Sequence, residues 1–292
     1  MADARFYPPM NFASLDAEYS TFERSRVVIL PVPYDSTVTA RAGARDGPHA
    51  IIEASADMEL YDVGLGLEPW RHGIHTLPEL APHTGSPEAM VGRIEEVAGE
   101  LIDAGKFVVT LGGEHTVAVG SVRAHARRTP GLSVLALDAH SDLRDEYLDS
   151  KYNHACTLRR AHERAPVTLV GLRSAPAEDA TFIRDEGLAF FSPAEFRRAG
   201  LQAVAERLSD SVYVTIDLDS FDPAVMSAVG TPEPGGLLWD EVTELFRAVT
   251  ASRRIVGFDV TELSPSLGPR ACAQLAAKLT YRLIGLALGP AE

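Results

Sequence analysis

Six side chains in three short motifs have the types and spacing of a metal centre. Asp138, His140 and Asp142 lie in DAHSD, Asp217 and Asp219 in TIDLDSFDP at 215–223, and His115 in GGEHT at 112–116. Four aspartates brought together repel one another, and unless a cation neutralises them some must take up protons. Two divalent ions balance four carboxylates, and two imidazoles complete a mixed oxygen and nitrogen donor set. Such donors suit manganese better than a thiolate-seeking ion, with zinc, cobalt and iron left open by ligand type alone.

Each motif follows a short apolar run: FVVTL at 107–111, VLAL at 134–137 and VYVTI at 212–216. Similar runs stand at 27–30, 167–170 and 255–258. Continuous rather than alternating apolar character predicts parallel strands covered by helices on both faces, hence an α/β fold. Helical spacing of Met90, Val91, Ile94, Val97, Leu101 and Ile102 predicts a helix over 87–104, stopped by Gly105, and 239–249 reads as another. Ligands of open parallel sheets gather beyond the carboxyl ends of the strands, which makes the three motifs one site. Alternate residues of an extended segment point the same way, so Asp138, His140 and Asp142 are expected to converge, as are Asp217 and Asp219. The Gly-Gly before Glu114 is expected to let the backbone approach the metal, and GTPEPGG at 230–236 reads as a shaped loop at the site.

The remaining composition sets bounds. A chain of 292 residues with 46% hydrophobic content holds one large α/β domain or two small ones. A formal charge of -14 with no basic run argues against nucleic acid and weakly favours cationic ligands. Residues 1–10 lack the apolar run of a secretory signal, and the apolar tail at 275–288 is interrupted by Lys278 and Arg282, so no membrane span is expected. Cys156 and Cys272 form no CxxC pair, which fits a reducing, cytoplasmic setting.

Taken in order, GGEHT, DAHSD, TIDLDSFDP and GFDVTEL at 257–263, with PYD at 33–35 and GARDGP at 43–48, resemble the ureohydrolase family of arginases and agmatinases over about 27–283. That resemblance implies one domain over 1–292, a three-layer αβα fold with a mostly parallel central sheet. It also implies an amino-terminal extension, 1–26, packed on the domain or at a subunit interface. It implies two Mn²⁺, one held by His115, Asp138, Asp142 and Asp217, the other by Asp138, His140, Asp217 and Asp219. The expected reaction is attack of a metal-acidified water on a guanidinium carbon, releasing urea. Glu262 would bind the guanidinium, Asp142 would pass the proton to the departing amine and His154 would exchange protons with solvent. The partners implied are a small cationic guanidine and further copies of the chain, as a trimer or hexamer.

Agmatine is the expected substrate, because Arg144 stands where arginases carry an asparagine that reads the α-carboxylate, and 138–161 looks more like bacterial and archaeal agmatinases. Aminopropylagmatine, guanidinobutyrate and other guanidino acids are the alternatives. Asp145, Glu146 or Asp149 is the expected partner of the substrate's amine. A one-zinc deacetylase of the same fold would need fewer carboxylates, and a non-catalytic relative would have lost ligands. Asp35, Asp222 and Asp259 are expected to cap turns or support the ligands, and His49, His72, His75, His83, His125 and His162 to lie on the surface or in packing. Cys156 is expected to be a packed residue, since nothing nearby would lower its pKa.

Overall fold

The computed structural model describes residues 10–291. Eight strands form one sheet: β1 Val27–Val32, β2 Ile74–Thr76, β3 Phe107–Gly112, β4 Ser133–Leu137, β5 Val167–Val170, β6 Ala189–Phe191, β7 Ser211–Asp217 and β8 Arg254–Thr261. Their spatial order is β2-β1-β3-β8-β7-β4-β5-β6, and every pair is parallel. The sheet is therefore wholly parallel where a mostly parallel one was expected. All six runs read from the sequence are strands. The two extra strands, β2 and β6, are three-residue edges, too short to show a pattern.

Among the described residues ten α-helices surround the sheet: α1 Ala17–Ser20, α2 Gly47–Ser55, α3 Pro87–Asp103, α4 Val117–Arg128, α5 Thr157–His162, α6 Ala177–Glu186, α7 Pro193–Ala199, α8 Leu201–Ala205, α9 Trp239–Thr250 and α10 Arg270–Leu288. Side chains alternate across the strands and so divide between two cores. Ile29, Val109, Leu137, Val214 and Val260 join Ile51 of α2, Leu245 of α9 and Leu279 of α10 in one. On the other face, Val28, Leu30 and Val108 pack on Ile94 of α3 and Val117 of α4, while Val134, Ala136 and Leu169 pack on Leu158 of α5. This is the expected three-layer αβα architecture. Helix α3 starts at Ser86, whose side chain accepts the Ala89 N–H. It ends as foreseen: Gly105 has φ +75°, and the Gly105 and Lys106 amides bond back to Ile102 and Leu101.

Residues 1–9 of the expected amino-terminal extension lie outside the described residues. From 10 onward that segment packs on the body of the fold, with Phe12 and Leu15 buried in the larger core and the Phe12 amide donating to Thr76 Oγ1. No helix among the described residues is long and apolar enough to cross a membrane.

Candidate functional site

Four adjacent strands, in the order β3, β8, β7, β4, deliver the site from their carboxyl ends. Glu114 and His115 follow β3, Glu262 follows β8, Asp217 closes β7 with Asp219 two residues on, and Asp138 to Asp142 follow β4. Sequential β3 and β4 are separated by β7 and β8, so the site sits where the chain reverses its direction across the sheet.

The ligand segments are not extended, contrary to the alternation expected for them. Asp217 Oδ1 accepts the Asp219 N–H at 2.8 Å and winds 218–220 into a 3-10 turn. Asp138 Oδ1 likewise accepts the His140 N–H at 2.7 Å, and Asp142 has φ +46°. Glu262 has φ +68° while its N–H donates to Gly113 O at 2.7 Å. Non-glycine residues held at positive φ carry backbone strain, which gathers at functional sites. Gly113 also admits the loop after β1: a Cβ there would lie 2.1 Å from Tyr34 O.

Donor atoms converge closely. His115 Nδ1 is 3.1 Å from Asp138 Oδ2, 3.1 Å from Asp142 Oδ2 and 3.5 Å from Asp217 Oδ2. His140 Nδ1 is 2.8 Å from Asp219 Oδ2 and 3.8 Å from Asp138 Oδ1. Two sets, His115–Asp138–Asp142 and Asp138–His140–Asp219, could each hold an ion, and they share Asp138.

Hydrogen bonding behind His115 tests whether a cation fits. Asp259, whose pKa burial pushes up to about 6, is ionised at neutral pH and accepts from Tyr213 Oη and Thr215 Oγ1, each at 2.8 Å. The single Thr215 hydroxyl proton is thereby committed, so His115 Nε2, 2.9 Å from Oγ1, must be the N–H donor. In the neutral ring Nδ1 then carries a lone pair facing two carboxylates, and the fully buried Asp138 Oδ2 has no hydrogen-bond donor from another residue. Lone pairs opposed at this distance call for a cation, and the residues fit one.

Without a cation, protons take its place. Burial, with Asp142 and Asp219 close by, pushes Asp138 up to about 7; burial and the charges of Asp219 and Asp138 hold Asp217 well above the usual range. Burial and Glu114 push Glu262 up to about 8. For His140 burial opposes the charge, but Asp219 prevails and raises it to about 10; Asp138 and Asp142 outweigh burial in the same way at His115.

A cleft of about 420 Å³ opens above these groups, with His140, Asp142, Asp217, Asp219 and Glu262 at its floor. His154 stands on its wall, its Nδ1 2.9 Å from Thr37 O and its Nε2 3.3 Å from Thr39 Oγ1. Burial lowers its pKa, which favours the neutral ring. The loop at 230–236 borders the site as read: Thr231 Oγ1 donates to Asp219 Oδ2 at 3.2 Å.

The expected readers of the substrate's amine are elsewhere. Asp145, Glu146 and Asp149 do not line the cleft, and Asp145 is paired with Arg160 at 2.6 Å and Lys151 at 3.6 Å. Arg144 and Tyr147 line the cleft instead. The Arg144 guanidinium stacks on the Tyr147 ring at 4.7 Å and bonds to Glu178 at 2.7 Å.

Several supporting residues escaped the sequence reading. Arg173 donates to the backbone carbonyls of Gly171, Asp219, Ser220, Phe221, Glu233 and Pro234, tying three loops together. Asp179 accepts from Ser141 Oγ at 2.6 Å and the Leu143 amide at 3.3 Å. Glu114 and Thr37 hold the loop after β1. Only Glu114 carried a signal, through its place in GGEHT.

The structural roles expected for other residues hold. Asp35 accepts the Gly43 and Arg45 amides, Asp222 those of Ala224, Gly235 and Gly236, and Asp259 orients His115 through Thr215. His125 is buried against Tyr213, and burial pushes its pKa down to about 4. His49, His72, His75, His83 and His162 lie in neither donor set. Cys156 is buried, its thiol pushed up to about 11.

Residues 25–285 match the model of the Arginase family. An N(1)-aminopropylagmatine ureohydrolase of Synechocystis sp. is 37% identical over 95% of this chain and 94% of its own, and one of Thermus thermophilus is 39% identical over 94% of each. The crystal structure of an agmatine ureohydrolase of Thermoplasma volcanium superposes with a TM-score of 0.86 at 31% identity, covering 97% of this chain and 96% of that one.

Proposed function

Because the chain belongs to the arginase family, whose members named above are ureohydrolases acting on guanidino compounds, we propose that it releases urea from N1-aminopropylagmatine, using two Mn²⁺. The observation that carries this reading is the opposed lone pairs of His115 Nδ1, Asp138 and Asp142 beneath an open cleft. His115, Asp138, Asp142 and Asp217 would hold one ion and Asp138, His140, Asp217 and Asp219 the other. Bound divalent ions supply an acidified water.

The chain's own groups do the rest. Glu262 Oε1 already accepts the His115 amide at 2.7 Å, so its other oxygen is left to accept from the guanidinium and hold the planar carbon over the donor set. Asp142 takes the water's proton and gives it to the departing amine. His154, neutral and with Nε2 as acceptor, exchanges protons with solvent.

The tail is read less directly. N1-aminopropylagmatine is favoured over agmatine by the two relatives at 37% and 39% identity, and agmatine is the second reading, supported by the likeness to the agmatine ureohydrolase of Thermoplasma volcanium. Guanidino acids are disfavoured, because Glu178 neutralises the Arg144 guanidinium that would attract a carboxylate. The buried free cysteines accord with a cytoplasmic setting, and assembly as a trimer or hexamer belongs to the same reading.

Urea release from N1-aminopropylagmatine, agmatine, guanidinobutyrate and arginine, with Mn²⁺-loaded and chelated protein, tests this. The aminopropyl compound is expected to have the highest kcat/KM, and chelation to abolish turnover. A preference for agmatine would move the substrate alone, whereas no urea from any of the four would end the ureohydrolase reading.

A further inference from the structure

The loop after β1 has no ligand to contribute, yet it wraps His154 on three sides. Thr37 O accepts from His154 Nδ1 at 2.9 Å and from Asn153 Nδ2 at 3.2 Å, and Thr37 Oγ1 accepts the His154 N–H at 3.0 Å. Thr37 is in turn pinned from beneath. Its N–H donates to Glu114 Oε2 and its Oγ1 to Glu114 Oε1, both at 2.8 Å. Glu114 is fully buried and has no ion-pair partner among the described residues; its carboxylate accepts from Thr37, with the Thr116 hydroxyl as its further side-chain donor. A desolvated carboxylate with so few donors makes those donors hard to move.

We propose that Thr37 is a positioning residue for His154, and that Glu114 is the buried anchor that fixes Thr37. The carbonyl of Thr37 can only accept, so His154 Nδ1 must carry the proton, and Nε2 is left as the acceptor beside Thr39 Oγ1 and the cleft. The Oγ1 bridge between Glu114 and the His154 amide holds the ring at that register. Glu114 thus acts on the proton-exchanging residue through Thr37, from which it stands 77 residues apart in sequence. The inference rests on the proposed role of His154.

Its test compares Thr37→Val, Thr37→Ser, His154→Asn and the double variant Thr37→Val/His154→Asn in the Mn²⁺-loaded protein. His154→Asn is expected to lower kcat by about 100-fold, the lower end of general acid–base contributions. Thr37→Val should lower kcat by about tenfold with little change in KM or bound metal, Thr37→Ser should stay within about threefold, and the double variant should be no slower than His154→Asn alone. A slow His154→Asn beside a Thr37→Val of wild-type kcat, or losses that multiply in the double variant, would overturn the positioning role alone. A His154→Asn of wild-type kcat would overturn the role of His154 and this proposal with it. Imidazole ¹⁵N shifts of the Zn²⁺-loaded protein give a readout independent of turnover: His154 should be the Nδ1–H tautomer in the wild type and a mixture in Thr37→Val, and a mixture in both would overturn the proposal.

Discussion

Thr215 shows how much one hydroxyl decides. It stands between Asp259 and His115 and sets which imidazole nitrogen is free for a cation. Supporting hydrogen bonds of this kind commonly matter by about 10- to 100-fold in metal affinity. Thr215→Val keeps the shape, leaves His115 Nε2 without its acceptor and is expected to weaken Mn²⁺ binding within that range, measured by titration calorimetry. Unchanged affinity would mean that His115 needs no such orientation. The candidate donors were legible because two of the three motifs pack two or three of them into a few positions. Glu262 and His154 were legible only by resemblance, and Thr37 not at all, since nothing at positions 35–40 signals a contact with residue 114 or 154.

At the scale of elements, the strands were readable because burial on both faces makes them continuously apolar. The turns that follow were not, because hydrogen bonds such as Asp219 N–H to Asp217 form within the loops and across them. Arg173 is the largest of these cross-links, and Arg173→Ala is expected to release the loop at 230–236. Amide hydrogen exchange over Gly235, Gly236 and Leu237 should quicken while that of β3 and β4 does not; unchanged exchange there would show that Asp222 alone suffices. Gly113 ties β1 to β3 in a different way. A Cβ 2.1 Å from the Tyr34 carbonyl has only backbone to push against, so Gly113→Ala should cost on the order of 1–3 kcal/mol, read from denaturant midpoints.

For the molecule as a whole, the acid cluster couples stability to pH and metal. In the metal-free protein Asp138 and Glu114 ionise at about 7 and Glu262 at about 8, all above ordinary carboxyl values. The folded state therefore keeps protons that the unfolded chain has released, a stabilisation present in acid and lost as pH rises through 7 to 8. His125, at about 4 when folded, works in the opposite sense and only below its ordinary value near 6.5. Mn²⁺ bound as proposed would replace the cluster's protons, so the Tm gap between Mn²⁺-loaded and chelated protein should widen from pH 6 to pH 8.5 in thermal melts. A constant gap would show that binding of the ion does not displace the cluster's protons.

The amino-acid sequence by itself determined the parallel α/β class and the gathering of aspartates and histidines able to hold a metal at one set of strand ends, because burial pattern and local charge density are properties of short segments. Only the tertiary structure decided which nitrogen of His115 faces Thr215, that Asp145, Glu146 and Asp149 do not line the cleft and that Thr37 and Glu114 stand behind His154. Each of these is a hydrogen bond or an orientation between segments distant in the chain or set by a loop, and side-chain directions there follow from where the sheet brings strand ends together, which no local spacing encodes.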